Sequence, residues 1–121
     1  MEVRAVTKHQ KTAFGEYLVQ EIKKAGMSQE AFYMPVGITK PYFYDLLKAA
    51  PPQPELQKKM IAVLENQTGE DQDRRERLMN LAAQGRQEIP ADIKDYLLDH
   101  PDKWAAVRAL LFEMNADGVK E

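Results

Sequence analysis

The helix stops and starts in the first half of the chain constrain its fold more than any other feature. Gly26 is followed by Met27 and Ser28, and Gly37 by Ile38 and Thr39. Glycine tolerates the left-handed conformation that closes a helix. A serine or threonine hydroxyl accepts from the free N–H groups that open the next one. Each trio therefore reads as a helix stop joined to a helix start. Around these joints the apolar residues recur at helical spacing. From Thr12 to Ala25 the stripe is Phe14, Leu18, Ile22 and Ala25, flanked by Tyr17 and Val19. From Thr39 to about Ala49 it is Phe43, Leu46 and Leu47. The helix between them carries Ala31, Phe32 and Met34. It is expected to end or bend near Met34, because Pro35 has no N–H to donate to the carbonyl of Ala31.

Prolines divide the rest. Pro51, Pro52 and Pro54 break the chain before a fourth helix bearing Leu56, Met60, Ile61, Val63 and Leu64. Residues 66–73 read as a polar connection. Asp73 with Glu76 has the form of a capping box and would open a fifth helix that stops near Gly85. In it, Arg74, Arg75 and Arg77 read as a solvated face with i,i+4 pairing. Pro90 opens a sixth helix. Pro101 opens a seventh, with Trp104, Val107, Leu110, Leu111 and Met114. The stripe Trp104, Val107, Leu111 and Met114 suits either a dimer seam or packing against the fifth helix. No segment sustains the alternation of a strand, so the expected fold class is all-α.

Composition narrows the function classes. The 121 residues suffice for one small domain with an appendage. Net charge is −2, but residues 1–50 hold seven basic and five acidic side chains against ten and fourteen in the remainder. A nucleic-acid surface would belong to that first, mildly basic part. No cysteine is present, which excludes disulfides and thiolate metal sites. His9 and His100 stand apart with no ligand spacing, so neither a metal nor a cofactor is expected. No apolar run approaches the ~20 residues of a membrane span, and the N-terminus lacks the apolar run of a signal peptide. A cytoplasmic protein with no membrane association is expected. No nucleophile elbow, phosphate loop or His–carboxylate pair appears, so an enzyme is not expected.

Two short helices joined by a glycine turn, with a longer helix before them, have the outline of a helix-turn-helix. Here the sequence resembles the lambda-repressor-like, or XRE-type, helix-turn-helix family of transcriptional regulators. The resemblance rests on Phe14-Gly15-Glu16-Tyr17-Leu18, Ala25-Gly26-Met27-Ser28-Gln29-Glu30, Gly37-Ile38-Thr39, Tyr42-Phe43 and Leu46. It covers roughly residues 12–66 and, less specifically, Leu81-Ala82-Ala83-Gln84-Gly85-Arg86 with Ile89-Pro90. It implies an N-terminal arm over 1–11, a helix-turn-helix domain over 12–66 and a helical extension over 67–121 that supports dimerisation. It also implies sequence-specific binding of a double-stranded DNA operator by a homodimer. Gln29 would touch a phosphate and buttress the recognition helix. Thr39, Lys40 and Pro41 would lie at the groove-entering end of that helix. Tyr44 and Asp45 would face bases one turn on, with Lys48 as an outlying phosphate ligand. The alternative is the same scaffold used as a protein-interaction module, antitoxin-like or regulatory. Of the neighbouring aromatics, Phe43 reads as core and Tyr44 as the most exposed. Tyr33 falls where two helices would cross, so its ring is expected to alter the packing or to point outward.

Overall fold

The computed structural model describes residues 10–119, with side chains as far as Glu113. The expected N-terminal arm lies outside them apart from Gln10 and Lys11, as do His9 and the side chain of Met114. Among the described residues there are seven α-helices and no strand. They are α1 (Ala13–Lys24), α2 (Gln29–Val36), α3 (Lys40–Lys48), α4 (Pro54–Thr68), α5 (Gln72–Arg86), α6 (Ala91–Asp99) and α7 (Trp104–Val119), with a 3₁₀ turn at Pro101–Lys103. They form two compact units, one reaching Pro90 and the other starting at Ala91. The first unit therefore takes in α5 and does not stop near residue 66. No helix of the described residues is long and apolar enough to cross a membrane.

The local signals act as the residue types dictate. Thr12, Ser28 and Thr39 cap α1, α2 and α3, their hydroxyls accepting from the N–H of Gly15, Ala31 and Tyr42 at 3.0, 3.0 and 3.3 Å. Gly26 and Gly37 adopt φ of +74° and +92°. Past each glycine the next N–H reaches back into the helix, Met27 to Ile22 O at 3.2 Å and Ile38 to Tyr33 O at 3.3 Å. These closures satisfy carbonyls that the helix ends leave free.

Two expected boundaries move by about two residues. α2 does not end at Met34 but continues through Pro35 to Val36. Ala31 and Pro35 are both exposed, and at an exposed turn a carbonyl without an N–H partner can be satisfied by solvent. α5 opens earlier than the Asp73–Glu76 box suggests. Asp71 is its N-cap, with Oδ1 accepting from Arg74 N at 3.1 Å. At its other end the helix stops near Gly85 as expected, with Arg86 its last residue and Gln87 closing it at φ +58°. Gly85 itself serves a contact: a Cβ there would stand 2.6 Å from Pro51 Cγ.

The core of the first unit is built from α1 to α5. Leu18, Phe32, Phe43, Leu64 and Ala82 have no exposed surface, and Ile22, Met60 and Leu78 have almost none. Fully burying a side chain such as Leu or Phe contributes about 1.5–3 kcal/mol. Tyr33 does not point outward. It is 8% exposed, with its ring 5.3 Å from that of Phe43. The crossing of α2 and α3 absorbs the ring by tilting it against Phe43, which also meets Phe32 at 5.9 Å.

α5 locks onto the helices before it. Arg74, expected on a solvated face, is buried and donates to Thr68 Oγ1 and Gly69 O, both at 3.0 Å. Arg75 pairs with Glu65 of α4, its Nε at 3.0 Å from Oε2. Arg77 places its guanidinium 5.1 Å from the ring centre of Tyr17 on α1. This arginine run bridges between helices because the α4–α5 turn folds it back onto α1 and α4. Tyr17 lies in that seam, and burial, followed by the charge of Glu21, holds its phenol above the usual tyrosine range.

Candidate nucleic-acid interface

The site is α3 and the turn that delivers it. Thr39 fixes where the helix begins, and Pro41 sits in the first turn, where its missing N–H costs no hydrogen bond. One side of α3 holds it in the domain: Phe43, Leu46 and Leu47 are buried. Its far end is tied to α1, since Thr12 N and Thr12 Oγ1 both donate to Leu47 O, at 2.9 and 3.2 Å. Gly15 makes that approach possible, because a Cβ on it would stand 2.2 Å from the same oxygen. The helix is thus held at its apolar side and at its C-terminal end.

The opposite side is open. Lys40, Pro41, Tyr44, Asp45 and Lys48 are all exposed. Positions 41, 44, 45 and 48 share a face through the i, i+3, i+4, i+7 spacing of a helix. Lys40 extends over this face, its Nζ 5.8 Å from the centre of the Tyr44 ring. The Tyr44 ring rests in turn 5.9 Å from buried Phe43. Lys40, Asp45 and Lys48 have no ion-pair partner among the described residues. Gln29 stands apart from this face, as the half-buried first residue of α2.

Six of the seven expected contact residues thus occur together at the start or on the open side of one helix. The order of exposure among the aromatics is corrected. Tyr42 is 47% exposed and Tyr44 37%, because Phe43 and Lys40 cover part of the Tyr44 ring. Tyr42 and Asp45 lie on the rim of a cleft of about 520 Å³ between the end of α3 and the start of α4. Gln53, Glu55, Lys59 and Arg86 complete its polar lining. Arg86 comes from α5 and reaches the cleft by donating to Pro51 O at 3.3 Å. Buried Gln57 holds the same turn by donating from Nε2 to Pro52 O at 2.9 Å. Sequence spacing within α3 does not reveal this cleft, since it depends on α4 and α5. Its one local signal is the cluster Pro51, Pro52 and Pro54, which turns the chain sharply at the helix end.

Chemically, the face offers two ammonium groups, one carboxylate and one phenol within three turns of helix. Lysines neutralise phosphates, and a carboxylate accepts from the exocyclic amine of cytosine. Comparison with protein-family models, with curated proteins and with solved structures finds no match to this chain.

Proposed function

We propose that the chain is a sequence-specific DNA-binding transcriptional regulator of lambda-repressor-like helix-turn-helix type, which inserts α3 into the major groove and acts as a homodimer. The observation that carries this reading is the division of α3: its apolar residues are buried, while Lys40, Pro41, Tyr44, Asp45 and Lys48 project together from the domain. Lys40 and Lys48 neutralise phosphates on the groove walls. Asp45 and Tyr44 face base edges, with Asp45 selecting cytosine through its N4 amine. Gln29 anchors the start of α2 to a phosphate. A homodimer would place two such helices about one DNA turn, ~34 Å, apart.

A second reading is favoured by the aromatic rim of the cleft. Exposed Tyr42 beside Asp45, with only two lysines on α3, also suits contact with another protein. Selection of bound duplexes from a random-sequence pool separates the two. The regulator enriches a defined site. Lys40→Ala and Lys48→Ala then weaken binding to every sequence alike. Asp45→Asn moves the preference at one position from cytosine toward adenine, which an amide reads bidentately. A pool that stays random, with no loss in the lysine variants, favours the protein-contact reading instead.

A further inference from the structure

The cleft between the end of α3 and the start of α4 lies wholly within the first unit. Tyr42, Asp45, Leu46 and Ala49 form one wall, at the i, i+3, i+4, i+7 spacing of α3. On the α4 wall Glu55 and Lys59 stand one turn apart with Leu56 between them. Pro51 and Pro52, both buried, join the walls. Leu56 continues the stripe of buried Met60 and Leu64, yet it stays half-buried, because the cleft opens on it. The interior is therefore apolar and the edges are ionised.

The charges around the cleft do not cancel. Arg86 is already neutralised: its Nε and Nη2 donate to the two carboxylate oxygens of Glu88, each at 3.1 Å, and its Nη1 donates to Pro51 O. Asp45, Glu55 and Lys59 are exposed and have no ion-pair partner among the described residues. Two carboxylates thus stand against one ammonium. Beside Pro52, the Gln57 amide leaves Oε1 as a buried oxygen without a hydrogen-bond partner among the described residues.

We infer that this cleft is a binding site for a small organic cation, an ammonium or guanidinium group carried on an aromatic body. The volume of about 520 Å³ falls within the roughly 300–1,000 Å³ of small-molecule sites. The apolar interior takes the body of the ligand. Asp45 and Glu55 hold its charge, and the exposed Tyr42 ring beside them adds the attraction of an aromatic face for a cation. An anion of the same shape would meet two carboxylates and find only Lys59 to offset them. Nothing in the site requires DNA, so the site and the DNA reading of α3 succeed or fail separately.

The test is an NMR titration of the ¹⁵N-labelled full chain, without DNA, using phenethylammonium and, as the anion of matching shape, phenylacetate. Phenethylammonium should shift the amide signals of Tyr42, Ala49, Gln53 and Glu55 in one saturable process. Phenylacetate should bind at least roughly tenfold more weakly, as reversing the charge between two carboxylates dictates. Asp45→Asn and Glu55→Gln should each raise the dissociation constant for the cation roughly threefold or more, the worth of an exposed ion pair. Glu30→Gln, on α2 and outside the cleft, should leave it unaltered. Phenylacetate binding as well as the cation, shifts that do not centre on the cleft, or no saturable binding overturns the inference in the unaltered chain, whether or not the variants fold. So does an affinity that both carboxylate variants leave unchanged.

Discussion

Gly15 shows how much can depend on a missing side chain. It occupies a buried helical position where the backbone of α1 meets the carbonyl of Leu47. Alanine would normally favour a helix there, but the Cβ would press on backbone that cannot swing away. Gly15→Ala is expected to destabilise the chain by roughly 1–3 kcal/mol, the usual cost of overpacking, seen as a lower urea midpoint. In the sequence Gly15 is only a glycine inside a helical stripe, because its reason lies at Leu47. Tyr17 gives a second residue-scale prediction. A phenol with a raised folded-state pKa keeps its proton where the unfolded chain has lost it. Its contribution is therefore complete below the unfolded value of about 10 and declines as pH rises through the folded value. The stability of the wild type relative to Tyr17→Phe should stay level up to about pH 10 and fall beyond it. Urea titrations of both chains across alkaline pH check this.

At the scale of elements, the sequence is legible wherever the signal is local. Ser28 and Thr39 cap the helices that their positions predict, and Gly26 and Gly37 close the helices before them. Each of these acts within one turn of its own residue. The misreadings share the opposite property. α5 does stop near Gly85, but the glycine is there for a contact with Pro51, and the residue that takes the left-handed conformation is Gln87. Arg74 looks like part of a charged surface, yet it is buried and caps the end of α4 through Thr68 and Gly69. Removing it gives up two hydrogen bonds from a charged donor and the packing of a buried stem, so Arg74→Ala is expected to cost about 1–3 kcal/mol. Arg74→Lys should recover little, since an ammonium lacks the guanidinium fork that serves both partners. Equilibrium unfolding of the two variants against wild type makes the comparison.

For the whole molecule, most of the candidate site could be read in advance because it lies on one helix. Buried and exposed positions on α3 follow from its period, which already separates Phe43, Leu46 and Leu47 from Lys40, Tyr44, Asp45 and Lys48. The cleft beside it could not, because Glu55, Lys59 and Arg86 reach it from other helices. Nor does periodicity decide what α7 packs against, since an apolar stripe is the same for a core and for a partner. In the proposed reading the first unit presents α3 to DNA. The most direct test is the affinity of the full chain for its selected duplex over a series of salt concentrations. With Lys40 and Lys48 on phosphates in each of two copies, log K should fall linearly with log salt at a slope of roughly −3 to −4. Replacing both lysines with alanine should bring that slope close to zero. Affinity indifferent to salt, or no binding to any duplex at low salt, would contradict the assignment of α3 to DNA.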